Sequence, residues 1–102
     1  MNTRPAYIQD MEGAEKVFMV EQTDFRGPDR SRTMGNIRDN IMENYSDPKM
    51  LAQRLKEMLD DEIGPQWHVI VGTDYAAFMS YSPGSYIQAK YGDLTVLMYQ
   101  LH

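Results

Sequence analysis

The chain has 102 residues, no cysteine and a formal net charge of −5. This length suits one domain with a modest core, and the acidic balance disfavours nucleic acid because no basic stripe is present to neutralise phosphates. The lack of cysteine excludes a disulfide scaffold, a thiol nucleophile and thiolate metal sites. No apolar run approaches the length of a membrane span, and the N-terminus lacks a signal-peptide core. We therefore expect a soluble, intracellular protein with no membrane partner.

The N-terminal stretch, residues 1–15, mixes proline, glycine and charges without a sustained period. Such a pattern is typical of a flexible tail or of an appended contact segment. The domain is expected to span residues 16–102 and to open with an edge strand from Lys16 to Gln22. The motif Glu21-Gln22-Thr23-Asp24 resembles peptides that bind sheet edges, and the alternative interpretation is the end of this strand.

Two amphipathic helices are predicted next. Gly27-Pro28-Asp29 predicts the start of the first, because proline is tolerated in the first turn and aspartate complements the helix dipole. Its apolar stripe consists of Met34, Ile37, Ile41 and Tyr45. Asp47 is the expected N-cap of the second helix, with Pro48 in its first turn. The buried face of the second helix is predicted to be Leu51, Leu55, Met58, Leu59 and Ile63.

An acidic run, Asp60-Asp61-Glu62, lies at the end of the second helix, where the dipole disfavours negative charge. It is either a solvated patch or a contact for a basic partner. Its spacing does not fit a calcium-binding loop. Gly64-Pro65 then ends the helix.

The last third of the chain consists of β-type runs separated by Gly, Pro and Asp. The predicted strands are Trp67 to Val71, Tyr75 to Tyr81, Ser85 to Tyr91 and Leu94 to Tyr99. Because the intervals are too short for crossover helices, neighbouring strands should pair antiparallel through tight connections. The first and last strands are apolar on both faces, so both faces of the sheet should be covered. The predicted class is α+β.

The block Trp-His-Val-Ile-Val-Gly at residues 67–72, followed by Tyr75-Ala76-Ala77-Phe78, resembles the small hub-type dynein light chains, a family distinct from the Tctex and roadblock light chains. The resemblance extends over the second helix and, more weakly, the first. It implies two helices packed on an antiparallel sheet that is completed by a strand, Tyr75 to Ser80, exchanged across a dimer. The dimer partner would be a second copy or a related light chain. Two grooves would each accept an extended peptide as an added strand.

The resemblance also implies two sets of site residues. The peptide groove would contain Lys49, Thr73, Tyr75, Ala77, Met79, Tyr86, Gln88, Lys90, Thr95 and Leu97. The dimer interface would contain His68, Tyr75, Phe78, Ser80 and Tyr81. The Lys49 backbone N–H, at a helix start with unpaired donors, would cap a glutamine of the peptide. Protonation of His68 would bury a charge and oppose dimerisation in mild acid.

The implied function is that of a non-catalytic dynein light chain that binds intermediate-chain segments and supports motor assembly in the cytoplasm and cytoskeleton. Departures from the family pattern at Pro48, Ala76, Ser82-Pro83-Gly84 and Gln88-Ala89-Lys90 favour a specialised axonemal, outer-arm member located in the cilium. One alternative is a general dimerisation hub for glutamine-anchored motifs in disordered partners outside dynein. Another is a small enzyme or ligand-binding domain with an aromatic cleft. His68 is the only internal histidine, so we expect no catalysis, no metal and no cofactor.

Overall fold

The computed structural model describes residues 16–73 and 80–101. They form strand β1 (Phe18–Thr23), helices α1 (Arg30–Asn44) and α2 (Pro48–Glu62), and strands β2 (Trp67–Gly72), β3 (Ile87–Tyr91) and β4 (Leu94–Gln100). This order confirms the predicted α+β class. No helix in the described part of the chain is long and apolar enough to cross a bilayer.

Two predicted segments fall wholly or largely outside the described residues. These are the N-terminal extension, residues 1–15, and the strand Tyr75 to Tyr81. The last two residues of that predicted strand, Ser80 and Tyr81, are described and lie in no strand. The turn that follows, Ser82-Pro83-Gly84, is present as predicted and is closed by a hydrogen bond from the Ser85 N–H to the Ser82 carbonyl.

The sheet is antiparallel with the strand order β1-β3-β4-β2. Strands β3 and β4 form a hairpin across Gly92-Asp93, and the φ of 62° at Gly92 fits a type II′ turn. The predicted pairing of neighbouring strands is confirmed for this hairpin. The predicted pairing of β2 with the strand Tyr75 to Tyr81 lies outside the described residues, and within them β2 pairs with β4. The reason is that β1 and β4 occupy the two sides of β3, so β2 adds to the remaining side of β4.

Strand β1 lies at one edge of the sheet, as predicted, although it spans Phe18–Thr23 rather than Lys16 to Gln22. Its register shifts between Val20 and Gln22, which leaves Glu21 in a β-bulge. The motif Glu21-Gln22-Thr23-Asp24 is therefore the end of a strand, and the side chains of Glu21, Thr23 and Asp24 make hydrogen bonds inside the fold.

The two helices differ in how they begin. Asp47 caps α2 as predicted, since its carboxylate accepts a hydrogen bond from the Met50 N–H at 3.1 Å. Gly27-Pro28-Asp29 directly precedes α1, as predicted for its start, but Pro28 lies before the first helical position and Asp29 makes no side-chain cap. An N-cap residue normally has an extended backbone that brings its side chain to the first amides, whereas Asp29 is left-handed with a φ of 52°.

Both helices cover the same face of the sheet. The fully buried core residues there are Ile37, Ile41, Leu51, Leu55, Leu59, Trp67, Ile87, Ala89, Val96 and Met98. Every residue of the two predicted helical stripes packs in or against this core except Tyr45, which is 36% exposed at the end of α1. The Tyr45 ring instead meets the edge of Tyr91, with the centroids 5.2 Å apart.

Candidate functional site

The sheet face opposite the helices is here called the open face. Buried Ile87 and Ala89 point toward the helices, so Gln88 and Lys90 point the other way. Strand register extends this face over all four strands, to Met19, Gln22, His68, Ile70, Gln88, Lys90, Thr95, Leu97 and Tyr99. The Tyr86 side chain reaches it through a hydrogen bond to Gln88. No helix from the described residues covers the open face.

Six of the predicted site residues come together on the open face, namely His68, Tyr86, Gln88, Lys90, Thr95 and Leu97. The structure does not bring Lys49 to this face, because Lys49 lies in the first turn of α2. Thr73 is exposed just after β2, and Ser80 is exposed. Four further predicted residues, Tyr75, Ala77, Phe78 and Met79, lie outside the described residues.

The half of the open face formed by β2 and β4 is mainly apolar. Leu97 is only 3% exposed, although it points away from the helices. Its cross-strand partner Ile70 is 37% exposed. His68 and Tyr99 stack nearby, with ring centroids 5.5 Å apart and planes 15° apart. Strand β4 therefore has a buried apolar residue on this face as well as on the helix-covered face, and the cover expected over the open face stays a prediction.

The half of the open face formed by β3 and β1 carries a chain of polar contacts. The Tyr86 hydroxyl donates to Gln88 Oε1 at 2.8 Å, and Gln88 Nε2 donates to Glu21 Oε1 at 2.9 Å. The ring of Tyr81 stacks on Tyr86 with centroids 4.8 Å apart. Burial, followed by the proximity of Tyr81 and Glu21, raises the pKa of Tyr86. The hydroxyl therefore keeps its proton at neutral pH and remains a donor to Gln88.

Tyr86 is fixed by the end of β1. The Asp24 carboxylate accepts the Gly84 and Tyr86 N–H groups at 3.0 and 2.9 Å. The Tyr86 carbonyl accepts the Thr23 hydroxyl at 2.7 Å and the Asp24 N–H at 3.1 Å. We call these contacts the Thr23-Asp24 clamp. It sets the backbone from which the Tyr86 ring reaches the open face.

The start of α2 presents one unused backbone donor. Pro48 has no N–H, while the Met50 and Leu51 amides both donate to Asp47. The N–H of Lys49, which lies between Pro48 and Met50, has no acceptor among the described residues. A donor in the first turn of a helix suits a carbonyl or carboxylate oxygen.

The acidic run at the end of α2 is mostly engaged within the fold. Asp60 Oδ1 accepts the Trp67 N–H at 3.1 Å, and its other oxygen pairs with Lys56. These contacts, with Lys56 the larger cause, lower the pKa of Asp60. Glu62 accepts two contacts from Asn36, whereas Asp61 is exposed. No cluster of metal-ligating residues occurs in the described ranges.

Glu21, Asp24 and Asp60 were named in the sequence only as parts of longer motifs, and the contacts that they make in the fold were missed. The Asp24 contacts had no local signal, because they join its carboxylate to Gly84 and Tyr86, far along the chain. Glu21 and Asp60 also had none, since their partners Gln88 and Trp67 lie far along the chain.

A profile of the family described as dynein light chain type 1 matches residues 18–101. "Probable dynein light chain 2, cytoplasmic" from Caenorhabditis elegans is 31% identical over 87 residues, covering 85% of this chain and 96% of that protein. "Dynein light chain 1, cytoplasmic" from Candida glabrata is 23% identical over 74 residues, covering 72% of this chain and 86% of that protein.

Among solved structures, the dynein light chain-like domain of a Fasciola hepatica calcium binding protein has the same fold, with a TM-score of 0.70 at 21% identity. The match covers 86% of this chain and 94% of that domain. At this identity the likeness concerns the fold alone, whereas the family profile spans both helices and all four strands. The chain therefore belongs to the dynein light chain type 1 family.

Proposed function

We propose that this chain is a non-catalytic light chain of a dynein motor, which dimerises through its open face and binds extended intermediate-chain segments by strand addition. The observation that carries the proposal is the composition of the open face. It combines an apolar half around Leu97 and Ile70 with a polar half around Gln88 and Lys90. An apolar area beside a set of fixed polar groups suits a second sheet and an added peptide strand.

The proposed dimer uses His68, Ser80 and Tyr81 together with Tyr75 and Phe78, and exchanges residues 75–80 between protomers. In the described part of the chain, β2 pairs on one side only, with β4. Its other side offers backbone donors and acceptors to an exchanged strand. The partner protomer is a second copy or a related light chain. His68, stacked on Tyr99, lies in the part of the open face that the proposed dimer would cover.

The proposed groove uses Thr73, Tyr75, Ala77 and Met79 beside the open-face residues, with the free Lys49 N–H at its end. Each dimer would hold two peptides, so a bivalent partner would gain avidity without new contacts. Gln88 and Lys90 make the groove floor polar, which supports a specialised light chain of axonemal outer-arm dynein. The cytoplasmic names of the relatives support a location in the cytoplasm and cytoskeleton.

A general dimerisation hub for glutamine-anchored motifs is the second candidate. The free N–H of Lys49 favours it, since this donor can bind a glutamine side chain of any partner. A panel of unrelated Thr-Gln-Thr peptides separates the two functions. A hub binds most of them with similar affinity, whereas a specialised light chain prefers intermediate-chain segments.

The test of the proposed function combines sedimentation velocity with peptide binding. The full chain should sediment as a dimer at neutral pH and bind some of the synthetic peptides that tile the dynein intermediate chains. The peptide that binds most tightly is then synthesised in two versions, one with N-methyl groups on the odd-numbered residues and one with N-methyl groups on the even-numbered residues. Methylation of the N–H groups that point to the sheet edge should abolish binding, whereas methylation of the N–H groups that point away should be tolerated. The reason is that an added strand pairs with the sheet through only one of its own two edges. A monomer that binds no tiled peptide would disprove the proposal.

A further inference from the structure

We propose that the open face selects an extended peptide carrying an acidic residue opposite Lys90 and no acidic residue two positions away, opposite Gln88. This inference rests on the proposed function and names the chemistry of the peptide. It follows from the charges on the polar half of the open face, taken residue by residue along β3.

Tyr86, Gln88 and Lys90 form a straight row on the open face. Successive members are two residues apart, a repeat of roughly 6.5–7 Å along a strand. An extended guest peptide has the same repeat, so its side chains on one face would meet these three residues one by one. The row therefore acts as three consecutive subsites.

Lys90 is the charged subsite that lacks a partner. Its cross-strand neighbours on the open face are Met19 on β1 and Thr95 on β4, neither of which carries a charge. Within residues 16–73 and 80–101, the Lys90 ammonium makes no hydrogen bond and no ion pair. Lys90 is also half-buried rather than fully exposed. A carboxylate placed beside it would form a charge-assisted hydrogen bond that water screens only in part.

The Gln88 subsite behaves in the opposite way. Its amide is held between the Tyr86 hydroxyl and the Glu21 carboxylate, so its orientation is fixed. The Glu21 carboxylate places a negative charge beside Gln88. An acidic guest residue here would be repelled, while a basic or amide residue would be accepted. The two subsites together direct an acidic residue to the Lys90 end and thereby set the register of the peptide.

A selection from a random phage-displayed library of extended peptides tests the inference. The bait is the full chain as wild type, as Lys90→Glu and as Arg54→Glu. Arg54 is exposed on α2, so its substitution gives the same change in charge away from the open face. Wild type and Arg54→Glu should both enrich Asp or Glu about fivefold at one position, whereas Lys90→Glu should enrich Lys or Arg there.

A second variant, Lys90→Met, keeps the length of the side chain and removes its charge. It should lose the acidic preference without gaining a basic one. Circular dichroism and sedimentation confirm that each bait is folded and in the same oligomeric state as wild type. The inference alone would be overturned if wild type selected peptides with no preference for an acidic residue. It would also be overturned if Lys90→Glu kept the same acidic preference as wild type. Failure of wild type to select any extended peptide would overturn the proposed function as well.

Discussion

The two faces of the sheet differ in burial and in composition. The helix-covered face is dry, and residues such as Trp67 and Val96 are fully buried by the chain itself. The open face mixes exposed apolar residues such as Ile70 with hydrogen-bonded polar residues such as Gln88. This difference supports the proposal that the open face serves association, whereas the helix-covered face stabilises the fold. The predictions below test that division, beginning with the largest expected effect.

The helix-covered face should dominate the free energy of unfolding. We expect Trp67→Ala to lower it by about 3–5 kcal/mol, because a large cavity would remain beneath α2. Chemical denaturation measures the change. Trp67→Phe is the matched control and should cost much less, since the buried Trp67 Nε1–H has no acceptor among the described residues and its loss leaves nothing unpaired. Equal losses in the two variants would argue against cavity formation as the cause.

The open face should instead dominate dimer affinity. We expect Ile70→Asp to weaken the proposed dimer about 100-fold or more, because association would bury an unpaired carboxylate. The monomer should remain folded, since Ile70 is 37% exposed. Sedimentation velocity and circular dichroism measure the two effects. Met42→Asp, at a residue 47% exposed on α1, is the control and should leave the dimer intact. A dimer unaffected by Ile70→Asp would contradict the division between the faces.

The Thr23-Asp24 clamp should affect both the free energy of unfolding and the affinity for the peptide. In Asp24→Asn, one backbone N–H loses its acceptor, because both carboxylate oxygens accept and an amide has only one oxygen. We expect a loss of about 2 kcal/mol in stability. Peptide affinity should also fall, since the Tyr86 ring is no longer fixed. Asp39→Asn on the exposed side of α1 is the control for the change in charge. An unchanged peptide affinity in Asp24→Asn would show that the clamp does not contribute to peptide binding.

The smallest effect concerns the junction between α2 and β2. Asp60→Asn should cost about 1 kcal/mol at neutral pH, because the Trp67 N–H loses a charged acceptor and Lys56 loses its partner. Since the folded state lowers the pKa of Asp60, this stabilisation is present above about pH 4 and fades as pH falls through the folded value. Urea denaturation of both proteins between neutral pH and pH 3 measures the difference. Asp61→Asn should behave like wild type, and a difference independent of pH would contradict the assignment.

Much of the fold could be predicted from local patterns. The period of the apolar residues predicted both helices, and the Asp47-Pro48 pair predicted the start of α2. Local turn residues predicted the β3–β4 hairpin. The missing side-chain cap of α1 could not be predicted in this way, because Pro28-Asp29 matches a common helix start while the left-handed backbone of Asp29 prevents the cap.

The candidate site was only partly predictable. Six residues assigned by family resemblance share the open face, and their roles stay proposals. Glu21 was not predicted, because a β-bulge brings its carboxylate to Gln88. A bulge changes which side chains face one another and leaves no clear trace in the period of the strand.

By itself, the sequence determined the α+β class, the two amphipathic helices, the residues of the core and membership of the dynein light chain type 1 family. These depend on local period and on a contiguous motif. The tertiary structure decided that β2 lies beside β4 and that Asp24 holds the backbone of Tyr86 from 62 positions away. It also decided that Lys90 has no charged partner among the described residues of the open face. Such features depend on which strands find one another in the folded chain, and strand pairing at long range is set by the competition for sheet edges rather than by neighbouring residues.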